Sequence, residues 1–268
     1  MGGAFVAVAE GAEALWFNPA GLAYLSAPEV GSLYEFRFGA SSLLRAAGAV
    51  PRWGGGMALF SFGPVEGRDA QGEVTESLGY LQLGLVGAGG WTPADLPVAA
   101  FRDAQGWAFG VRAKLIGVST AEASGGGAAL DGGILLRWQR PFAQAIEELR
   151  LGAAVENLPG VGASGPPRGT IGLAVRPMAE LTLAVDLAFP WAVHAGGEMQ
   201  IPLPGEVLPS PGRGGAVVAV RVGGFWEGDL WALTAGFGLR VGSFQWDYAI
   251  QSHPQLPGIH RIGIAWRF

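Results

Sequence analysis

The last nine residues, His260-Arg-Ile-Gly-Ile-Ala-Trp-Arg-Phe268, place bulky apolar or aromatic side chains in alternation with small or charged ones. The segment before it, Phe244-Gln-Trp-Asp-Tyr-Ala-Ile-Gln251, repeats this pattern, as does Leu181-Thr-Leu-Ala-Val-Asp-Leu-Ala-Phe189. Successive side chains of a strand point to opposite faces of a sheet, so a period of two predicts strands with one apolar face. From about residue 29 onward we therefore predict an all-β chain.

Turn signals divide this region into about fourteen segments of strand length. Several connections are short, whereas three are long and rich in Gly and Pro: Gly89–Asp103, Pro159–Pro167 and Pro202–Gly214. This spacing favours an up-and-down antiparallel arrangement. The predicted strands are 29–38, 41–50, 55–64, 76–87, 106–118, 128–139, 148–157, 168–177, 180–190, 193–202, 214–225, 230–241, 243–251 and 259–268.

Composition indicates which face of these strands meets water. Charged residues make up only 15% of the 268 residues, against about 25% in an average soluble domain. They fall on the face that carries small residues, while the other face is apolar, as contact with lipid requires. We therefore predict a transmembrane antiparallel up-and-down β-barrel of about fourteen strands, whose polar face lines the lumen. A soluble β-protein with an unusually apolar face is the alternative.

The charged side chains on the predicted inner face have two interpretations. They could line a polar path through the barrel, or they could pair with each other across neighbouring strands; pairing is the commoner arrangement. The candidates are Glu35, Arg37, Arg112, Lys114, Asp131, Arg150, Glu156, Asp186, Arg240, Asp247, Arg261 and Arg267. On the outer face, seven Trp residues near strand ends predict an aromatic girdle: Trp53, Trp91, Trp107, Trp138, Trp191, Trp226 and Trp231.

Residues 1–27 lack this alternation, and we assign them to an N-terminal plug ahead of the barrel at 28–268. The segment Glu10–Trp16 is rich in helix formers, and Asn18-Pro19 indicates a fresh helix start, because Asn caps orphan amides and Pro suits the first helical position. Such short helices need a packing partner, which the lumen would provide. Four residues are candidates for a gate: Trp16, Phe17, Asn18 and Pro19. A static helix cap is the alternative for Asn18 and Pro19, and capping explains both residues.

The N-terminal segments Gly2-Gly-Ala-Phe-Val-Ala-Val-Ala9 and Ala14-Leu-Trp-Phe-Asn-Pro-Ala-Gly-Leu-Ala23 resemble the start of the FadL-type long-chain fatty-acid transporter superfamily. The resemblance extends to Leu149–Leu158, to Asp131-Gly-Gly and to the final strand, and is greatest to the PorV/PorQ-like branch. It implies a fourteen-stranded barrel of the bacterial outer membrane with an N-terminal hatch. It also implies that Phe268 serves as a signal to the outer-membrane barrel assembly machinery. The chain is shorter than typical members, so we expect long extracellular loops to be absent.

Two functions follow from this resemblance. The hatch of transporter members gates the passage of hydrophobic or amphipathic small molecules such as fatty acids, which predicts an apolar pocket beneath the plug at Leu15, Trp16 and Phe17. PorV-like members instead serve protein secretion or surface attachment, which predicts a secretion-system partner. In both cases the barrel contacts membrane lipids.

Other function classes find no support in the sequence. The absence of Cys excludes disulfides, Cys–zinc sites and Cys nucleophiles. The three His have no metal-ligand spacing, so we expect no enzyme activity, no cofactor and no metal. A net charge of −5 gives no electrostatic basis for binding nucleic acid. The start of the chain has no signal peptide, and we expect a leader to precede it.

Overall fold

The computed structural model describes residues 1–69, 71–95, 106–141, 146–204 and 215–268, except for the side chains of residues 76 and 77. Within these ranges, no helix has the length and apolar character of a membrane span.

The described chain forms one closed antiparallel barrel. Apart from one short strand of three residues, each strand pairs with its neighbours in sequence, and the first strand pairs with the last to close the ring. Fourteen strands make up the ring, and the short strand extends the wall at one place beside it, so the predicted strand number is confirmed. The strands are β1 Glu29–Arg37, β2 Ser41–Val50, β3 Trp53–Arg68, β4 Val74–Trp91, β5 Trp107–Thr120, β6 Ser124–Gln139, β7 Glu148–Glu156, β8 Gly160–Gly162, β9 Arg168–Met178, β10 Leu181–Phe189, β11 Ala192–Pro202, β12 Ala216–Glu227, β13 Leu230–Val241, β14 Phe244–Gln251 and β15 Ile259–Arg267.

The two ends of the barrel differ. We call the end where β1 begins and β15 finishes the proximal end, since Glu29 and Arg267 pair there, and the opposite end the distal end. Strands β3 to β6 have 14 to 18 residues, and the other ring strands have 8 to 12. The register places Arg37, Ser41, Phe62 and Tyr80 side by side, so the β3–β4 hairpin projects beyond the distal end of β1.

The segment before β1 lies inside the barrel. It contains a 3₁₀ turn at Gly11–Glu13, the single-turn helix α1 at Ala14–Phe17 and a second 3₁₀ helix at Pro19–Tyr24. Regular helix begins later than predicted because Gly11 has a φ of +63°. The break at Asn18 and the start at Pro19 are as predicted. This plug packs mainly against the inner faces of β1 to β10, and its first two residues lie against β11 to β13.

The faces alternate as the sequence predicts. All twelve predicted lumen charges lie on the inward parity of their strands, and Asp186, Arg112 and Asp131 are among the most buried polar residues. The seven predicted girdle Trp residues lie near strand ends. Trp53, Trp91, Trp107 and Trp138 mark the proximal end, and Trp191, Trp226 and Trp231 the distal end. Two aromatic belts therefore flank an apolar outer band, as in membrane barrels.

Some sequence-based boundaries need correction. β3 and β4 extend beyond the predicted 55–64 and 76–87, since pairing within a long hairpin outweighs the low strand propensity of Gly63–Arg68. The predicted loop Gly89–Asp103 starts later, because 89–91 belong to β4. The short β8 lies within the predicted loop 159–167. Residues 96–103 and 205–214 of the long predicted loops fall outside the described residues.

Candidate functional site

Asn18 ties the plug to itself and to the barrel wall. Its side-chain oxygen accepts a hydrogen bond from the amide of Ala20 at 3.1 Å, which caps the second 3₁₀ helix. Its Nδ2 donates to the carbonyl of Val6 in the plug and to that of Ile134 in β6, each at 3.0 Å. Gly133 makes this approach possible, because a Cβ there would overlap the Asn18 amide. Capping is therefore only part of the role of this fully buried residue.

Arg112 holds α1 against the wall. Its Nη1 donates to the carbonyl of Leu15 at 2.7 Å, one of the carbonyls left open at a helix end. The same guanidinium forms ion pairs with Asp131 and, at 2.5 Å, with Glu156. Lys114 adds a second cation on Asp131 at 2.9 Å. The charges of this cluster compensate each other, so Arg112 is anchored where it meets the plug.

Glu10 makes a second charged contact between plug and wall. Its carboxylate pairs with Arg137 of β6 and, at 2.7 Å, with Arg150 of β7. Burial alone would raise the pKa of Glu10, but the charges of Arg150 and Arg137 outweigh this effect and hold the pKa below its usual value. Arg137 also lies over the ring of Tyr24, 4.0 Å from its centroid. Two separate parts of the plug, at Glu10 and at Tyr24, thus contact the same arginine.

Asp186 and His194 hold the first residues of the plug. One carboxylate oxygen of Asp186 accepts from the amides of Phe5 and Val6 at 2.7 and 2.9 Å. His194, its direct partner across β10 and β11, lies with Nδ1 2.8 Å from the carbonyl oxygen of Gly2, so Nδ1 carries the proton. The plug is therefore fastened along its whole length by polar side chains of the wall.

Ion pairing accounts for most of the predicted lumen charges. Ten of the twelve lie in ion pairs. Asp186 instead binds backbone amides, and Arg240 has no ion-pair partner within the described ranges. The pairing interpretation therefore describes these residues better than a continuous polar filter.

An apolar surface lies where the plug meets β2 to β4. Trp16 and Phe17 are half-buried, whereas their neighbours Leu15 and Asn18 are fully buried. They pack against a buried cluster that joins Leu15 of the plug to Ala49 and Ala88 of the wall. Phe5 joins them, with 4.7 Å between the ring centroids of Phe5 and Phe17. The three aromatic rings leave part of their surface open to the lumen.

The inner wall continues this surface toward the distal end. The register places Leu33, Phe60, Phe62, Ile116 and Val118 on the inward parity of β1, β3 and β5. The prediction that the inner face carries small residues is wrong for this part of the wall. The signal was present, because 57–60 is apolar at every position and Phe62 continues the inward row. We call Phe5, Trp16, Phe17 and these five wall residues the apolar lumen surface.

Arg45 stands beside this surface. It lies on the inward parity of β2, and its guanidinium is 5.6 Å from the centroid of the Trp16 ring. Glu13 and Glu35 are nearby, but neither approaches Arg45 within 4.0 Å, so Arg45 forms no ion pair in the described structure. Alternation along the sequence predicts that Arg45 lies on the polar face. It does not identify Arg45 as a site residue, because the contact with Trp16 of the plug is visible only in the structure.

Two solved structures are similar to the whole chain. The Pseudomonas putida toluene transporter TodX superposes with a TM-score of 0.57 at 12% identity, covering 100% of this chain and 96% of that one. A Pseudomonas aeruginosa FadL homologue superposes with a TM-score of 0.58 at 10% identity, covering 99% and 96%. The chain has the FadL-type barrel fold. No protein-family model and no curated protein matches the sequence.

The FadL-type fold agrees with the resemblance noted in the N-terminal segments. At this level of identity the agreement concerns architecture alone. Within the described residues, no group of three His, Cys, Asp or Glu could hold a metal ion.

Proposed function

We propose that this barrel binds and takes up hydrophobic or amphipathic small molecules across the bacterial outer membrane. The observation that carries the proposal is the apolar lumen surface, which leaves aromatic rings of the plug half-exposed inside a closed barrel. Apolar side chains that stay exposed inside a lumen normally form a surface that binds an apolar ligand. The fold shared with TodX and the FadL homologue supports the same function.

Arg45 indicates how an amphipathic ligand would be oriented. A guanidinium without an ion pair, beside an apolar surface, suits a carboxylate head group with its chain along Phe60 and Ile116. The plug below Trp16 blocks onward passage. Release would require part of the plug to move, and the bonds from Asn18, Arg112 and Glu10 would oppose that movement.

Native mass spectrometry of protein gently extracted from its own outer membrane tests the proposal. We expect a reproducible apolar or amphipathic ligand on the wild type. Trp16→Ala and Phe17→Ala should each weaken retention of added oleate by about tenfold or more, the effect of losing one buried aromatic contact. Trp266→Ala, on the outer face, is the matched control and should retain oleate normally. An empty wild-type barrel that also ignores added oleate would contradict the proposal.

The outer-membrane location and assembly route belong to the same proposal. The two aromatic belts and the apolar band between them support insertion in a bilayer. The side chain of Phe268 is 71% exposed at the proximal end, so it is accessible to the outer-membrane barrel assembly machinery as a terminal signal. Recovery in a soluble fraction after cell breakage would oppose this assignment.

A second candidate is a PorV-like role in protein secretion or surface attachment. It is favoured by four of the distal connections, 38–40, 121–123, 190–191 and 228–229, which span only two or three residues and are too short to capture a ligand. The same mass-spectrometry experiment distinguishes the two functions. A bound protein partner on an otherwise empty barrel would favour the secretion role.

A further inference from the structure

Three arginines meet on the inner wall close to the distal end of the barrel. They are Arg37 of β1, Arg45 of β2 and Arg261 of β15, and these three strands are adjacent in the ring. The three side chains are half-buried, so part of each remains open to the lumen. The charges of Arg37 and Arg261 both act on Arg45. Three cations on adjacent strands repel one another unless anions compensate them.

Glu35 of β1 lies among these arginines and is loosely bound to two of them. Its Oε2 is 3.7 Å from Nε of Arg37 and 3.3 Å from Nε of Arg261. Both distances exceed the usual length of an N–H···O hydrogen bond, about 2.7–3.2 Å. Within the described ranges, no other carboxylate forms an ion pair with the three arginines. One carboxylate oxygen is therefore shared between two guanidiniums that lie side by side.

The arginines keep hydrogen-bond donors that no described residue uses. Nε of Arg37 is buried and has no hydrogen-bond partner. Arg261 donates from Nη2 to Oε1 of Gln251 at 2.8 Å, and Arg45 lies over the ring of Trp16. Each guanidinium carries five N–H donors, so donors remain on all three side chains. The strand ends that flank 96–105, 142–145 and 205–214 lie at the proximal end, opposite to this cluster.

The cluster has an excess of positive charge. Glu35 balances one of the three arginines. Glu13 of the plug also acts on Arg45, but it forms no ion pair in the described structure. Burial raises the pKa of Glu13, which favours its uncharged form. Two of the three positive charges therefore lack a fixed anionic partner among the described residues.

The apolar lumen surface begins directly beside the cluster. Leu33 of β1 is the cross-strand partner of Arg45. Ser41 is the partner of both Arg37 and Phe62, so Phe62 lies two strands away from the outermost arginine at the same level. An anionic head group held by the arginines therefore keeps its apolar chain in contact with this surface.

We propose that this cluster makes the barrel selective for amphiphiles whose head group is a phosphate monoester. A phosphorylated hydroxyl carries about −1.5 to −2 charge near pH 7 and three acceptor oxygens. Three guanidiniums match both properties, since each can donate to a phosphate oxygen. A carboxylate has one charge and two oxygens, so it satisfies Arg45 and leaves Arg37 and Arg261 sharing Glu35. The inference rests on the proposed uptake of amphiphiles and adds the class of head group.

Competition between amphiphiles with the same chain tests this preference. The full chain in phosphatidylcholine nanodiscs, at about pH 8, is offered equal amounts of dodecyl phosphate, dodecyl sulfate and laurate, each below its critical micelle concentration. Native mass spectrometry then counts the bound ligands. Sulfate presents the same three oxygens as phosphate with a single charge, so it separates charge from shape. Dodecyl phosphate should be retained about tenfold or more over either competitor, the effect of an additional charge-assisted contact.

Two variants should move the preference in opposite directions. Arg37→Gln removes one guanidinium and should lower the phosphate-to-sulfate ratio by about threefold or more. Glu35→Gln removes the carboxylate that competes for the arginines and should raise the ratio. Arg176→Gln, on the inner face of β9 near the proximal end, is the matched control and should leave the ratio unchanged. Lost stability alone would lower the retention of all three amphiphiles together, so the ratio reports the head group.

The outcomes separate this inference from the uptake on which it rests. Equal retention of dodecyl phosphate and dodecyl sulfate by the wild type would overturn the head-group preference and leave uptake standing. A shift of the ratio in the same direction by Arg37→Gln and Glu35→Gln would overturn it as well. A wild type that retains none of the three amphiphiles would overturn the proposed uptake together with the preference.

Discussion

Glu10 and Glu13 stand three residues apart in the plug and have pKa shifts of opposite sign. The charges of Arg150 and Arg137 outweigh burial and lower the pKa of Glu10. Burial raises the pKa of Glu13 above its usual value, although Arg45 acts in the opposite direction. The difference follows from position: Glu10 meets two arginines of the wall at bonding distance, whereas Glu13 has no ion-pair partner in the described structure.

These shifts predict opposite effects on stability. The lowered pKa of Glu10 means that its contribution is present above the unfolded value of 4.5 and is lost as pH falls through the folded value. The raised pKa of Glu13 means that stability is lost as pH rises from 4.5 through its folded value. At pH 7 we therefore expect Glu10→Gln to lower the free energy of unfolding and Glu13→Gln to increase it.

Denaturant titrations of barrels refolded in lipid vesicles, at several pH values from 3 to 7, would measure both variants. Each variant is the control for the other, because the remaining carboxylates cancel in the difference from the wild type. The Glu13→Gln curve should meet the wild-type curve at low pH, and the Glu10→Gln difference should shrink as the pH falls. Two variants that shift stability in the same direction at pH 7 would contradict this account of the plug.

At the scale of elements, the plug depends on single glycines of the strands that it contacts. Asn18 reaches the wall only because Gly133 has no side chain. We expect Gly133→Ala to displace Asn18, with the loss of its hydrogen bonds to Val6 and Ile134. Leaving such buried groups unpaired costs about 1–3 kcal/mol each.

Gly132→Ala provides a matched control for this prediction. Gly132 is the preceding residue of β6, points outward, and a Cβ there would make ordinary contact with Val155 at 3.5 Å. Proteolysis of the N-terminal segment in folded barrels should therefore accelerate in Gly133→Ala and not in Gly132→Ala. Equal protection in the two variants would mean that Asn18 does not anchor the plug.

The elements also show which features of the fold can be read from sequence. Strand alternation is a local property, so the fourteen ring strands and the inward position of the charges were predictable from spacing. The cap at Asn18-Pro19 was equally local. The length of the β3–β4 hairpin was not predictable, because pairing across the hairpin stabilises residues of low strand propensity. The plug partners of Arg112 and Arg45 were not predictable either, because Leu15 and Trp16 are 97 and 29 residues away from them in the chain.

Over the whole molecule, the lumen is divided into two unlike sides. The plug and residues of β1, β3 and β5 form the apolar lumen surface, whereas β11, β12 and β14 carry the ion pairs of Arg221 with Glu198 and Asp247. A single barrel therefore offers an apolar site and a charged wall side by side. The charged side chains and the plug occupy the interior of the barrel, so the remaining apolar side chains lie on the exterior. This arrangement requires that the exterior face lipid rather than water.

Substitution on the outer face tests that requirement. Leu85 lies on the outward parity of β4, within the stretch paired with β3 and β5, and Val74 is exposed in the part of β4 that projects beyond the distal end of β1. In a bilayer, Leu85→Arg should cost about 2–4 kcal/mol of folding free energy, and Val74→Arg, on the same strand but near or beyond the interface, about 0–1 kcal/mol. Unfolding titrations in vesicles would measure both. Equal, small costs would place water at both positions and would overturn the inside-out arrangement on which the uptake site rests.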